Sequence, residues 1–277
     1  DICIHSTHTH GDRASGMHAI EFSAVTKKYH KDLFVAPVVA VNGLSFGVPS
    51  RRVVGFVGPN GAGKTTSLKM IAGLLYPSHG TVSVFGKSPA EPATRSRFSF
   101  LTEQPYLYSY LSVYEMMAFI YGLYGYRRSE QKQSIDSALE RVGMDSFADR
   151  RIRDLSKGMQ QRVNMAGALL GDKELYLFDE PMSGLDPHGR FLFKDIIRQL
   201  GHEGKTVLFS SHILEDVEML CDMVIALSEG EGVYIGPIET LVEQSYRGSD
   251  IVVEPLSEEQ RTLFQHRGWE CRREKNK

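Results

Sequence analysis

Nine consecutive residues carry most of the chemistry this chain could perform: Gly58-Pro59-Asn60-Gly61-Ala62-Gly63-Lys64-Thr65-Thr66. They fit the pattern G-x-x-x-x-G-K-[ST]. The apolar run Arg52-Val53-Val54-Gly55-Phe56-Val57 before them reads as a buried strand. Ser67–Leu75 after them reads as a helix with an apolar face. A glycine-rich turn between strand and helix points successive backbone N–H groups inward. The positive end of the helix dipole adds to them, and the result is a cradle for phosphate. In such a cradle Lys64 would reach β- and γ-phosphates, and the Thr65 hydroxyl would ligate Mg²⁺.

A second constellation lies in Leu175-Tyr176-Leu177-Phe178-Asp179-Glu180-Pro181, an apolar strand that ends in two acids. Acidic turns after core strands are common, but beside a phosphate cradle this one gains meaning. Asp179 is placed to hold Mg²⁺ through water, and Glu180 to polarise a water that attacks the γ-phosphate. Phosphoryl transfer needs mainly positioning and charge compensation.

The surrounding pattern supplies elements to position these groups. Ala19–Val25 and Val39–Val48 alternate as strands, with Pro49-Ser50 as a turn. Thr81–Phe85, Phe98–Leu101, Leu175–Phe178, Thr206–Phe209 and Met223–Leu227 read as further strands. Helices at about Pro187–Leu200 and Ile213–Leu220 separate the later ones. Alternating strands and helices imply a mainly parallel sheet covered on both faces, with ligands at the carboxyl ends of its strands. From about Ser112 to Leu170 the pattern is helical, with Ile135, Leu139 and Val142 on one face. That stretch interrupts the alternation and reads as an inserted subdomain. Beyond Gly236 come a short helix at Ile238–Gln244, a strand at Asp250–Val253 and a polar end.

Composition narrows the function classes. The chain has 277 residues, net charge -2, and cysteines only at Cys3, Cys221 and Cys271. No global basic field argues for nucleic acid. Three distant cysteines argue against a disulfide framework or zinc site and suit a reducing compartment. No apolar run approaches the roughly 18–20 residues of a membrane-spanning helix. The nearest, Met116–Tyr126, is broken by Gly122 and Gly125. Residues 1–16, with His5, His8 and His10, differ from the rest. They are read as an extension with no part in the fold, and Met17 as the natural first residue.

Leu155-Ser156-Lys157-Gly158-Met159-Gln160-Gln161-Arg162 is similar to the signature sequence of ABC ATPases, the nucleotide-binding subunits of ABC transporters. It precedes the Asp179-Glu180 strand, as in that family. Ser183-Gly184-Leu185-Asp186-Pro187 resembles the family's D-loop. His212 resembles its switch histidine, and Tyr29 the aromatic that stacks on adenine. The resemblance runs from about Ala19 to Thr240. It implies an α/β P-loop NTPase (RecA-like) fold with a mainly parallel sheet and an N-terminal antiparallel β part. It also implies an ATPase domain over 17–240, a helical subdomain inserted at about 104–171, and extensions at 1–16 and 241–277. Mg-ATP would be bound by Tyr29, by the loop Gly58, Pro59, Asn60, Gly61, Ala62, Gly63, Lys64, Thr65 and Thr66, and by Asp179 and Asp186. Ser156, Lys157, Gly158, Met159 and Gln160 would bind the γ-phosphate held by a second subunit. ATP would thus join two ATPase subunits, identical or not, head to tail. Lys64, Glu180, His212 and Glu103 would carry the reaction, with Thr65, Asp179 and Glu103 at the metal. An integral-membrane permease on another chain would hold the pair at the cytoplasmic face of the cell membrane.

Two departures from the family pattern matter. Lys157 and Met159 flank Gly158 where Gly-Gly is usual, which resembles the exporter branch with ABC-2 type permeases. In Phe98-Ser99-Phe100-Leu101-Thr102-Glu103-Gln104, Glu103 falls where the metal- and water-contacting Gln of the Q-loop usually sits. Glu103 is preferred over Gln104, and a slip of one residue would reverse the choice because adjacent strand side chains point to opposite faces. The aromatic run Tyr106–Leu111 and the Met-rich segment after Val113 fall where the family receives the permease. About half of these residues are expected to fill the core instead. Two rivals remain: a soluble ABC ATPase acting on ribosomes or chromosomes, and an unrelated P-loop kinase or GTPase. Single copies of each motif, no heptad run and no guanine motif weigh against them.

Overall fold

A computed structural model describes residues 18–29 and 37–245. The extension 1–16 with its three histidines, Cys3, Cys271 and the strand expected at Asp250–Val253 lie outside those residues. The described residues up to Leu241 form one compact unit, and a second begins at Val242.

Half-buried alternation builds the first sheet. β1 (His18–Tyr29) pairs antiparallel with β2 (Val38–Pro49), placing Phe22 opposite Phe46. β3 (Val53–Val57) and α1 (Lys64–Ile71) follow, and then β4 (His79–Val84), which lies on the other side of β1. This antiparallel sheet has the order β2-β1-β4. α1 starts three residues earlier than its apolar pattern suggests, because Gly63 supplies the turn into it. Gly73, at φ +68°, ends it before Leu75 by letting Leu74 N–H donate back to the Lys69 carbonyl at 2.9 Å.

Mostly apolar runs build the inner strands of the second sheet. After the short α2 (Pro92–Arg95) come β5 (Phe98–Leu101), α3 (Val113–Leu123), α4 (Gln131–Arg141), α5 (Lys157–Leu169) and β6 (Leu175–Phe178). α6 (Pro187–His202), β7 (Thr206–Ser211), α7 (Leu214–Leu220), β8 (Met223–Ser228), β9 (Glu231–Pro237) and α8 (Ile238–Ser245) complete the chain's described elements. The sheet order is β5-β6-β7-β3-β8-β9. All neighbours are parallel except β9, which runs antiparallel to β8. β6 and β7 are buried along their whole length, as strands covered on both faces must be. The mainly parallel sheet is thus present, with one antiparallel edge strand that sequence pattern does not reveal.

A run of aromatic contacts reaches from the first sheet to the second, ending in a tilted pair of rings. Phe22 lies 4.4 Å from Phe46, and Phe46 lies 5.8 Å from Phe56 on β3. Leu68, Met70, Ile71, Leu177, Leu208 and Ile225 close the same core. α3, α4 and α5 bury Met117, Ile135, Leu139, Val142 and Val163 among themselves. A reciprocal cap starts α3: Ser112 Oγ accepts from Glu115 N–H, and the Glu115 carboxylate accepts from Ser112 N–H. The aromatic region divides as composition suggests. Met116, Met117 and Tyr121 are buried, while Tyr106, Tyr108, Tyr110, Phe119 and Leu123 face outward.

Candidate functional site

Parallel register gathers the chemistry at one edge. Leu101 is paired with Phe178, Phe178 with Phe209, and Val57 with Ser211. The segments that leave these strands, 58–66, 102–104, 179–186 and 212–213, therefore emerge together. A cavity of about 370 Å³ opens there, lined by Asn60, Gly61, Gly63, Lys64, Thr65, Thr66, Glu103, Glu180, Ser183, His212 and Ala40.

Two glycines of the loop are sterically required. Gly63 has φ +100°, and a Cβ there would stand 2.5 Å from the Ala40 carbonyl oxygen. Gly58 has φ +153°, and its Cβ would meet the Leu227 oxygen at 2.4 Å. Any side chain at either position would distort the cradle. Lys64, almost fully buried, curls over the loop: its Nζ donates to the carbonyls of Gly58 at 2.7 Å and Pro59 at 3.2 Å. It also stands 3.6 Å from Glu180 Oε1.

Behind the loop runs a chain of hydroxyls and carboxylates. Thr65 Oγ1 donates to Asp179 Oδ1 at 3.0 Å, and Ser210 Oγ donates to the same oxygen at 2.8 Å. Burial pushes the Asp179 carboxyl above the usual carboxylate range, against the opposing pull of the Ser210 and Thr65 hydrogen bonds. Ser210 Oγ also accepts from Glu180 N–H at 2.7 Å. Glu180 itself has φ +45°, a left-handed conformation that costs a non-glycine residue about 1–2 kcal/mol. Its Oε2 lies 2.8 Å from His212 Nδ1. A carboxylate only accepts, so Nδ1 is the donor. Glu180 Oε1 is buried with no hydrogen-bond partner, and its nearest compensation is the Lys64 ammonium.

Every oxygen around Thr65 and Asp179 is a hard donor, which suits Mg²⁺. Among the described residues no group of three or more His, Cys, Asp or Glu could hold a metal alone. An ion here would complete its shell with water and, where a nucleotide is bound, with phosphate oxygens. Glu103 lines the cavity and Gln104 is not among the lining residues.

The remaining residues singled out from sequence stand apart from this cavity. Ser156 caps α5 by accepting from Met159 N–H at 3.3 Å. Gln160 Nε2 donates to the carbonyls of Ile152 and Leu155. A Cβ on Gly158 would meet open space, and one on Gly184 would come within 3.8 Å of Lys157 Nζ. Asp186 caps α6, accepting from Gly189 N–H at 2.7 Å. Tyr29, at the end of β1, is 37% exposed, with Lys27 Nζ 5.4 Å from its ring centre. None of these lines the cavity. Conversely, sequence reading passed over Ala40, Ser183 and Ser210 as site residues. Ser183 left a signal as the first residue of the D-loop-like segment and Ser210 as a hydroxyl at the end of a buried strand, while Ala40 left none.

Comparison with known proteins places this geometry. Residues 41–183 match the protein family described as ABC transporter. The ABC transporter ATP-binding protein NatA of Bacillus subtilis is 44% identical over 218 residues, which cover 77% of this chain and 88% of that protein. An uncharacterized ABC transporter ATP-binding protein of Nostoc sp. is 44% identical over 208 residues, 74% of this chain but 62% of its own length. The Nod factor export ATP-binding protein I of Rhizobium leguminosarum bv. viciae is 37% identical over 230 residues, 82% of this chain and 71% of that one. Among solved structures, an ATP-binding subunit of an ABC transporter superimposes with a TM-score of 0.73 at 28% identity, covering 84% of this chain and 95% of that one. An ATP-binding cassette solved as a dimer with ADP and Pi has the same fold, with a TM-score of 0.73 at 24% identity, covering 79% and 98%. By its family match and by relatives such as NatA, this chain belongs to the ABC transporter family, as an ATP-binding cassette.

Proposed function

We propose that this chain is the ATP-hydrolysing subunit of an ABC transporter, in which two cassettes close on Mg-ATP and drive a separate permease. One observation carries the reading. Glu180, whose Oε1 is buried without a hydrogen-bond partner and 3.6 Å from Lys64 Nζ, lines the same cavity as the glycine cradle and Lys64. Once phosphate draws the Lys64 ammonium away, that oxygen would be left to accept from a water beside a γ-phosphate in the cradle.

The residues then divide the work. The loop N–H groups and Lys64 bind the β- and γ-phosphates. Glu180 accepts a hydrogen bond from the attacking water and orients it in line, while His212 fixes the carboxylate through Oε2. Thr65 and Asp179, with Glu103 beside them, would hold Mg²⁺, which when bound neutralises charge on the phosphoryl group. Tyr29 stacks on adenine.

Ser156, Lys157, Gly158, Met159, Gln160 and Asp186 lie away from the cradle of their own chain, which supports their use by a partner cassette. The outward aromatics Tyr106, Tyr108 and Tyr110 suit contact with the permease, at the cytoplasmic face of the membrane. Among the described residues no helix is long and apolar enough to cross a bilayer; relatives named as ATP-binding proteins of ABC transporters support a permease on another chain. Relatives named for Nod factor export, together with Lys157 and Glu103, support the export direction. We assign the cassette to 17–240, the helical subdomain to about 104–171, and 1–16 and 241–277 to extensions.

Phosphate release from Mg-ATP by the full chain, alone and with the membrane protein that co-purifies with it, tests the assignment. Hydrolysis that rises more than linearly with protein concentration is the expected result. No hydrolysis under either condition overturns it.

A further inference from the structure

α7 begins two residues after His212, so whatever orients its first turn also orients the ring that meets Glu180. The helix is poorly equipped to do this unaided. It has 7 residues, well short of the ~12–15 at which an isolated helix becomes even marginally stable. Its N-cap position holds Ile213, which offers no side-chain cap. Ser211 Oγ accepts from Ile213 N–H at 3.0 Å, which closes the turn. Val217 packs on Gly55 of β3, which seats one face.

Asp216 supplies the missing lateral restraint. Its side chain is 2% exposed, so solvent offers its carboxyl group little compensation. Arg190 Nη2 donates to both of its oxygens, at 2.8 and 3.1 Å. Lys194 Nζ reaches Oδ1 at 2.7 Å. Arg190 and Lys194 are four residues apart and so share one face of α6. Arg190 N–H also donates to the Asp186 carbonyl at 2.9 Å, in the turn that Asp186 caps. A buried carboxylate is expensive unless well paired, and two cations from one helix pair this one. The arrangement ties the helix after His212 to α6, which starts at Pro187, seven residues beyond Glu180. Both partners of the Glu180–His212 bond are thus flanked by elements that Asp216 joins.

We propose that Asp216 is a positioning residue for ATP hydrolysis. Held by Arg190 and Lys194, it locks the first turn of α7 against α6 and so keeps the His212 ring on Glu180. The proposal rests on the roles given to His212 and Glu180 above.

A mutant cycle on the full chain tests it. Asp216→Asn is measured alone and in a His212→Ala background, with kcat, KM for ATP and the melting temperature read for each. Positioning through His212 predicts that Asp216→Asn lowers kcat about 10-fold in the otherwise native chain. KM should change by less than about twofold. In the His212→Ala background the same change should cost less than about twofold, because the group it positions is already gone. Equal losses in both backgrounds, or an unchanged kcat in the native background, overturn the proposal. If Asp216→Asn does not fold, Arg190→Gln and Lys194→Gln each remove one leg and enter the same cycle with the same expectation. A His212→Ala chain with native kcat sinks the role of His212 and this proposal together. Sensitivity to His212→Ala without sensitivity to Asp216→Asn sinks this proposal alone.

Discussion

Lys64 Nζ and Glu180 Oε1 face each other at 3.6 Å across the mouth of the phosphate cradle. The ammonium meanwhile donates to the Gly58 and Pro59 carbonyls. A cation folded onto its own loop, with a buried carboxylate as its counter-charge, stands where the β- and γ-phosphates would come. On the proposed role of Lys64, nucleotide binding would exchange its carbonyl contacts for phosphate oxygens and so change the surroundings of Glu180. Four predictions bear on this site.

Replacing Lys64 by Ala should weaken ATP binding by about 10- to 150-fold, the loss expected for one charge-assisted contact of about 1.5–3 kcal/mol. Titration with a fluorescent nucleotide measures it. Native affinity in this variant would show that the cradle binds without its lysine.

Glu180→Gln keeps the size of the side chain and its contact distance to His212 but removes the carboxylate that orients water. Hydrolysis should fall about 100- to 10,000-fold, with ATP affinity within a few-fold of native. ATP-loaded variant should then accumulate as a dimer in size-exclusion chromatography with light scattering. Unchanged turnover would exclude Glu180 as the water-orienting group.

Ser156→Arg introduces bulk at a helix start that is open in the single chain and lies away from its own cavity. Nucleotide binding to the isolated chain should remain native while the ATP-dependent dimer and turnover are lost. A Ser156→Arg chain that dimerises with ATP as the native one does would refute the shared site.

Asp179 gives a pH-dependent prediction. Burial raises its pKa in the folded state above the unfolded value, so the native chain holds the proton more tightly. Stability from this group is present below the unfolded pKa and is lost as pH rises through the folded pKa. At neutral pH the nucleotide-free protein therefore carries a cost that Asp179→Asn removes, since the amide oxygen can still accept from Thr65 and Ser210. The variant should melt higher at pH 7, by about 2–4 °C for each kcal/mol gained, and the difference should shrink on acidification. It should also lose the extra stabilisation that Mg²⁺ adds to bound nucleotide. A lower melting temperature at pH 7 would contradict the desolvation argument.

The chemistry of the cradle was readable because it is written in consecutive residues. Nine neighbours fix the turn, the lysine and the hydroxyl, and the flanks announce strand and helix by their own periodicity. Asp179 and Glu180 were readable for a similar reason, since a wholly apolar run says where a buried strand must end. The parallel sheet followed from such runs alternating with helices. β9 did not announce itself: it is an edge strand with Gly232 and Gly236 inside it, half exposed, and its pairing with β8 is decided by the partner rather than by its own pattern.

Sequence alone determined which residues could hold a triphosphate and in what order the elements come, because those properties are local. Tertiary structure alone decided that Ser210 links Asp179 to the Glu180 backbone, that Ala40 closes over Gly63, and that Asp216 gathers Arg190 and Lys194. Each of these contacts joins groups 22 to 31 positions apart along the chain. No periodicity of 2 or 3.6 residues reaches that far. They exist because strand register and helix packing bring separate side chains to one place, and the low-dielectric interior then penalises any polar group left unpaired.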